Sequence, residues 1–247
     1  MKKIVLAVVA AALLSSLQAQ DGIYGSFLVG YKNFDMSSLD AELNRLGHYD
    51  KTFNFGNQYL TLGGEGHIIL AKHLVVGGKA IATYREQEAN YTPPPLDVPT
   101  WIKITTGMGI GTLGFAFLAG DEKQLRIFPQ VGIGASSFLL QRKTKLSDTT
   151  SFEDVFADDN MSVMQTVSLA VDLALSFDWY IRFIEFKKII PGLGFGPLIH
   201  ITAGYTFIPG QSTWLRDIDD VGTYNPNLSF EGFYACAGVG IGLSAGD

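Results

Sequence analysis

Cysteine is nearly absent from this 247-residue chain. Cys236 is the single one, so no intrachain disulfide can form, and an exported fold of this size must be held together by something else. Beyond the N-terminus there is also no run of roughly 18 uninterrupted apolar residues. Gly, Ser, Asp or Lys breaks the long apolar regions at every second or third position, which argues against a bundle of membrane-spanning helices. Charge is sparse, at 17%, and its balance is acidic, a formal −6. An acidic exterior disfavours nucleic acid as a partner. Four histidines and one cysteine offer no clustered spacing of metal ligands.

What the chain does have begins with an export signal. Lys2 and Lys3 form a positive end, residues 4–14 an apolar run, and Leu17-Gln18-Ala19 a small-residue cleavage site before Gln20. The expected division is a signal peptide at 1–19 and one domain at 20–247. That domain alternates. Between 163 and 179 the odd positions include Val163, Val167, Leu169, Val171, Leu173, Leu175, Phe177 and Trp179, and the even ones Thr166, Ser168, Asp172, Ser176 and Asp178. Period two is what a strand with two different surroundings requires, because successive side chains point to opposite faces.

Eight such stretches fall at about 23–34, 57–70, 74–85, 100–118, 125–142, 162–179, 195–207 and 232–243. Connections after the odd-numbered stretches are long, and those after the second and fourth, Ala71-Lys72-His73 and 120–124, are short. The pattern predicts an all-β fold: a closed, antiparallel, up-and-down transmembrane β-barrel of eight strands, with short periplasmic turns and long external loops. Within lipid, closure satisfies every backbone donor and acceptor without leaving an edge, which supplies the stability that disulfides do not. Cys236 reads as a small buried side chain.

Several details need placing. Residues 38–46, with Leu39, Leu43 and Leu46 at helical spacing before Gly47, predict a short helix in the first external loop that folds over the barrel mouth. Pro93-Pro94-Pro95 stiffens the second loop. The sixth connection, 181–194, is long for a periplasmic turn and rich in Ile and Phe. It lies along the membrane interface with Arg182, Lys187 and Lys188 towards head groups, or continues strand six, or adds a hairpin to make ten strands. In the fourth stretch Ile102, Ile104, Met108 and Ile110 are even whereas Leu113, Phe115 and Phe117 are odd, which predicts a phase-shifting β-bulge near Gly111 and Thr112. Pro129 and Pro197, lacking donors, are expected at strand ends or bulges.

Taking the apolar phase as lipid-facing puts Phe27, Val29, Tyr31, Leu60, Leu62, Val131, Ile133, Ile199, Ile201, Val239 and Ile241 outside, with aromatics at strand ends such as Trp101 and 177–180. The inward phase carries the lumenal ion-pair candidates Glu65, Lys79, Arg85, Arg126, Asp172 and Asp178, together with Lys32, His67, Gln130 and His200. Charges buried there must pair. Outward Leu70 and Leu74 bracket the three-residue turn, and pairing them sets Glu65 opposite Lys79 and His67 opposite Gly77, at a separation that suits a Glu65–Lys79 ion pair. Eight strands enclose about enough space for side chains, so no wide pore is expected.

Other motifs carry less. The Gly-x-Gly runs at 107–111 and 238–242 open no helix and read as strand glycines. Ser168, His67, Asp172 and His200 share the inward phase and supply the residue types of a lipid-acting hydrolase, but they stand on strands that are not mutually adjacent. A His67 and His200 metal site lacks clustered ligands. No catalytic, cofactor or metal residue is assigned. The mature chain has sixteen Lys and Arg against twenty-four Asp and Glu, a net of −8; the four long loops sum to −12 and the rest to +4. Asp217, Asp219 and Asp220, or Glu153, Asp154, Asp158 and Asp159, are candidates to share divalent cations with surface lipid, although no calcium-loop pattern is present.

With its signal, eight alternating strands, the glycine-rich Gly63-Gly64-Glu65-Gly66 and Phe128-Pro129-Gln130-Val131-Gly132, and a final strand at 238–243, the chain resembles the small outer-membrane β-barrel proteins of Gram-negative bacteria, of the OmpA-transmembrane-domain, OmpX and OmpW type. The resemblance implies outer-membrane localisation, with outer-membrane lipid and the barrel-assembly machinery as partners. It leaves three functional expectations: a structural or surface-interaction role through acidic loops, a narrow channel or small-ligand conduit, or a lipid-modifying enzyme.

Overall fold

The computed structural model describes residues 22–45, 49–91, 98–119, 125–144, 161–185, 193–210, 215–216, 219–220 and 231–245. The expected signal at 1–19, Pro93 to Pro95, the short connection expected at 120–124, Lys187, Lys188, and the acidic residues at 153–159 and 217 lie outside them. Eight long strands make the wall: β1 (Gly22–Asn33), β2 (Gln58–Leu70), β3 (Leu74–Tyr91), β4 (Val98–Phe115), β5 (Leu125–Thr144), β6 (Met161–Tyr180), β7 (Leu193–Phe207) and β8 (Gly232–Ala245). Each pairs antiparallel with its chain neighbours, and β8 pairs with β1, so the ring closes.

The registers fix the shape of the ring. Stepping straight across the ladders from Gly22 leads through Ile69, Val75, Gly114, Gln130, Ala174, Gly204 and Tyr234 back to β1 at Lys32. One circuit thus advances ten residues along β1. With eight strands this stagger means a tilt of about 40° and a lumen that side chains fill.

The faces follow the alternation. Phe27, Ile133, Val239 and Ile241 are at least 57% exposed and belong to an apolar outer band. Outward aromatics sit at both ends of it, with Tyr31, Tyr84 and Phe233 towards the loops and Phe115, Phe117 and Trp179 towards the turns. Tyr180, expected in this girdle, instead points inward, where it is 3% exposed.

The fourth strand corrects the expected bulge. Its register with β3 is unbroken from Leu74–Phe115 to Tyr91–Val98, and with β5 from Thr100–Thr144 to Gly114–Gln130. Ile102, Ile104, Met108 and Ile110 simply point inward. The physical reason is length: β3 has 18 residues, which at about 3.3 Å each and this tilt span roughly 45 Å, well beyond an apolar band of about 25 Å. Beyond the lipid, water surrounds the wall, so Lys103 and Thr105 turn outward and Ile102 and Ile104 turn in, while Met108 and Ile110 point inward at membrane depth beside outward Gly109 and Gly111, the latter paired with lipid-facing Ile133. The surroundings invert, and the strand does not.

The ladder's one gap lies at Ala116, between Gly114–Gln130 and Phe117–Ile127, beside Pro129, which has no N–H to give. Ala116 N–H donates instead to the His73 carbonyl at 2.6 Å. His73 Nδ1 bonds the Ala116 carbonyl at 2.9 Å, which fastens the β2–β3 turn to β4. As far as its described residues go, the sixth connection follows the second of its three readings. Ile181 and Phe183 donate to the carbonyls of Pro197 and Phe195, and Ile184–Glu185 pairs with β7 one residue out of the β6 register, so the hairpin continues through a bulge.

Between β1 and β2, helix α1 (Ser37–Arg45) matches the expected loop helix. Asp35 Oδ1 caps it by accepting the Ser37 N–H at 2.8 Å. Asn44 exchanges two hydrogen bonds with the Phe53 backbone, and Asp40 accepts the Phe55 N–H. These bonds fold the loop so that Met36, Leu39, Leu43, Phe53 and Phe55 pack with Phe34, Ile102, Ile104 and Phe138 of the wall. The loop end of the lumen is closed by an apolar plug. Tyr24, Ile69, Val75, Phe128, Tyr180 and Leu198 form a second one at the turn end.

Candidate functional site

Between the two plugs lies a layer of buried charge. Alternation places Lys32 on β1, Glu65 and His67 on β2, Lys79 on β3, Arg126 on β5, Asp172 and Asp178 on β6 and His200 on β7 inside the ring, all at most 5% exposed. Among the described residues, the buried Lys, Arg, Asp and Glu are three cations, Lys32, Lys79 and Arg126, and three carboxylates, Glu65, Asp172 and Asp178. The two histidines aside, three cations face three carboxylates, and each such group withdrawn from water requires a partner.

The pairing is not the one that register alone suggests. Glu65 is opposite Lys79, Leu70 opposite Leu74 and His67 opposite Gly77, as expected. Lys79 Nζ nevertheless donates to Asp172 Oδ2 at 2.8 Å, on the far side of the lumen, and to the Tyr234 hydroxyl. Tyr234 donates in turn to Asp172 Oδ2 at 2.8 Å. Glu65 accepts from Gln130 Nε2 at 3.1 Å and stands 3.3 Å from His200 Nε2. The expected Glu65–Lys79 ion pair is replaced by two cross-lumen contacts. In a lumen this narrow, a long side chain reaches the opposite wall as readily as the adjacent strand.

The same narrowness corrects the expectation that the inward histidines stay apart. Asp178 Oδ2 meets His67 Nε2 at 2.8 Å and its Oδ1 meets His200 Nδ1 at 2.6 Å. One carboxylate thus bridges β2 and β7, and since it only accepts, both of those ring nitrogens carry protons. The chain His67–Asp178–His200–Glu65–Gln130 continues through Ser176 at 2.8 Å to Thr202 at 2.9 Å. Arg126, opposite Asp178 in the ladder, lays its guanidinium 4.3 Å from the Tyr24 ring centre and 5.7 Å from that of Tyr180. Arg85 lies towards the loops, where it donates to the Gln58 carbonyl at 3.2 Å and sits 5.6 Å from the Tyr59 ring.

A hydrolase is not assembled from these groups. Ser168 faces Ser136, ten residues along β6 from the acid that the histidines touch, which is about 33 Å of strand. Asp172 serves Lys79. Among the described residues no three His, Cys, Asp or Glu are arranged to hold a metal, and Cys236 is buried beside Thr61. Sequence reading missed Tyr234, Tyr24 and Tyr180 as members of the lumen. The signal was present, since each is on the even phase that carries the small and polar residues of its strand, but Tyr180 was read as a girdle residue and the other two were not placed.

No family model and no curated relative matches the chain. Among solved structures it is similar to Ail, the attachment invasion locus protein of Yersinia pestis, with 10% identity over 91% of this chain and 99% of that one and a TM-score of 0.41. It is also similar to the outer membrane protein OprG from Pseudomonas aeruginosa, with 13% identity, 91% and 96% covered and a TM-score of 0.36. The third is Neisserial surface protein A, with 8% identity, 90% and 96% covered and a TM-score of 0.32. These likenesses concern architecture, and the chain's own geometry carries the assignment: a closed ring, an apolar aromatic-edged exterior and a polar interior. It is an outer-membrane barrel.

Proposed function

We propose that this protein is a closed, non-conducting outer-membrane barrel whose work is done by its external loops. The observation that carries the reading is the lumen, filled by apolar plugs on both sides of a layer of paired buried charge, with α1 packed into its loop end. A conduit needs a continuous polar path, and these plugs interrupt it. What remains available to a partner is the loop surface, and the long loops sum to −12 where the rest of the mature chain is +4. Such a surface attracts cationic partners, and divalent cations would bridge it to anionic lipid.

The test is attachment. Cells displaying the protein should hold polylysine-coated particles more than cells displaying a variant with Asp217, Asp219, Asp220, Glu153, Asp154, Asp158 and Asp159 changed to their amides, and salt should weaken the difference. Equal attachment at equal surface display would contradict the acidic-loop role.

A further inference from the structure

The outer face is not uniformly filled. At the loop end of the seam where β1 meets β8, a groove of about 360 Å³ opens on the lipid side. Its floor is small, because Ala235 is the register partner of Tyr31 on one side and of Ala203 on the other, and Ala237 continues it towards the turns. Its walls are tall: Tyr31 is 63% and Phe233 69% exposed, and Phe233 is braced edge-on by Tyr205 at 4.6 Å. At its upper rim stand the carboxamides of Asn33 and Gln58, directly opposite each other on β1 and β2. Lys32 borders the groove, but its side chain points into the barrel, where Nζ donates to Thr206 Oγ1 at 3.4 Å.

We infer that this groove is a binding site for one outer-leaflet lipid, an acyl chain lying on Ala235 and Ala237 between Tyr31 and Phe233, with its uncharged ester or amide linkage hydrogen-bonded by Asn33 and Gln58. The inference rests on the membrane-spanning reading. Location names the occupant. The groove is continuous with the lipid-facing band through Val29, Val239 and Ile241, and its rim is where outward side chains change from apolar to amide, the depth of the head-group boundary. Chemistry narrows it. Among the described residues no ionic side chain projects into the groove, so it selects the linkage region rather than a phosphate. A chain seated between two rigid rings keeps contacts on three sides, against one for a chain on a flat wall, and holding its linkage adds hydrogen bonds that a lipid elsewhere on the barrel lacks.

The mature protein, refolded into dimyristoylphosphatidylcholine vesicles, supplies the test in two arms. Flotation with the vesicles checks the membrane reading by itself, and a barrel that fails to float refutes that reading. Native mass spectrometry after release into mild detergent then reads lipid retention. Wild type should carry one retained lipid. Ala235→Leu, which fills the floor, should retain it at least fivefold less, whereas Ala135→Leu, an outward alanine on β5, should match wild type. Tyr31→Ala with Phe233→Ala removes the walls without crowding the seam, and should show the same loss if Ala235→Leu does not fold. Equal retention in all variants, or a lipid-free dimer from wild type, would overturn the site.

Discussion

Glu65 and Lys79 stand directly opposite each other in the β2–β3 ladder, yet their side chains part, Lys79 to Asp172 and Glu65 to His200 and Gln130. Register sets which backbones are neighbours, and the narrow lumen decides which side chains meet. Unfolding titrations in detergent should therefore show strong coupling between Lys79→Met and Asp172→Asn. Each single change should cost roughly 3–5 kcal/mol and the double change less than their sum, because each single change leaves a buried partner without its mate. Coupling between Lys79→Met and Glu65→Gln should be the smaller of the two. The reverse order would mean that the cross-lumen contacts are not the ones that hold the layer.

The β2–β3 turn stores strain. Ala71 and Lys72 have φ of 49° and 71°, a left-handed backbone that costs a residue with a Cβ roughly 1–2 kcal/mol, and the His73 N–H closes the turn on the Leu70 carbonyl at 3.1 Å. Asn-Gly suits two successive positive φ values. Ala71→Asn with Lys72→Gly is expected to raise unfolding stability by about 1–2 kcal/mol. A loss of stability would argue against this turn geometry.

Tight curvature makes two glycines unequal. A Cβ at Gly240 would lie 1.9 Å from the Gly25 carbonyl oxygen, whereas one at outward Gly109 meets nothing within 4 Å. Gly240→Ala should cost about 2 kcal/mol or more, or stop the barrel closing, since backbone must shift to admit it. Gly109→Ala should be within about 0.5 kcal/mol of wild type. Heat-modified gel mobility and urea midpoints distinguish them.

Outside the membrane, burial of Asp40 beneath the loop raises its carboxyl above the ordinary carboxylate range, opposed by the Phe55 N–H. A raised folded value means that the contribution is full below the unfolded value, about 4, and is lost as pH rises through the raised one. Amide exchange in α1 should therefore be slower below about pH 4 than at neutrality, after correction for intrinsic rates. Asp40→Asn, which keeps an acceptor for Phe55, should flatten that dependence. An unchanged profile would remove Asp40 as its source.

Much of this was legible in the sequence because lipid imposes a two-sided code. The facing of Phe27, Val131 and Val239, and the Glu65–Lys79 register, follow from period two and one short turn. Two things were not legible. Ile102 and Ile104 of β4 mimicked a bulge because the code inverts where the wall leaves the membrane, a depth that alternation does not record. The histidines looked separate because neighbourhood along the chain says nothing about the width of a closed ring, and it is that width which brings His67 and His200 to Asp178.

Topology follows from the same asymmetry of turns and loops. Epitope tags near Pro94 and Asp219 should bind antibody on intact cells, and a tag at Lys72 only after permeabilisation. Labelling in the opposite sense would invert the barrel.

The central claim is that the lumen is shut. Planar-bilayer recordings of the refolded mature protein should show no stepwise conductance above the bare bilayer in symmetric salt, at neutral pH and moderate voltage. Reproducible unitary currents that are reduced by Phe138→Trp, a variant that enlarges the loop-end plug, would contradict it and place the pathway through the lumen.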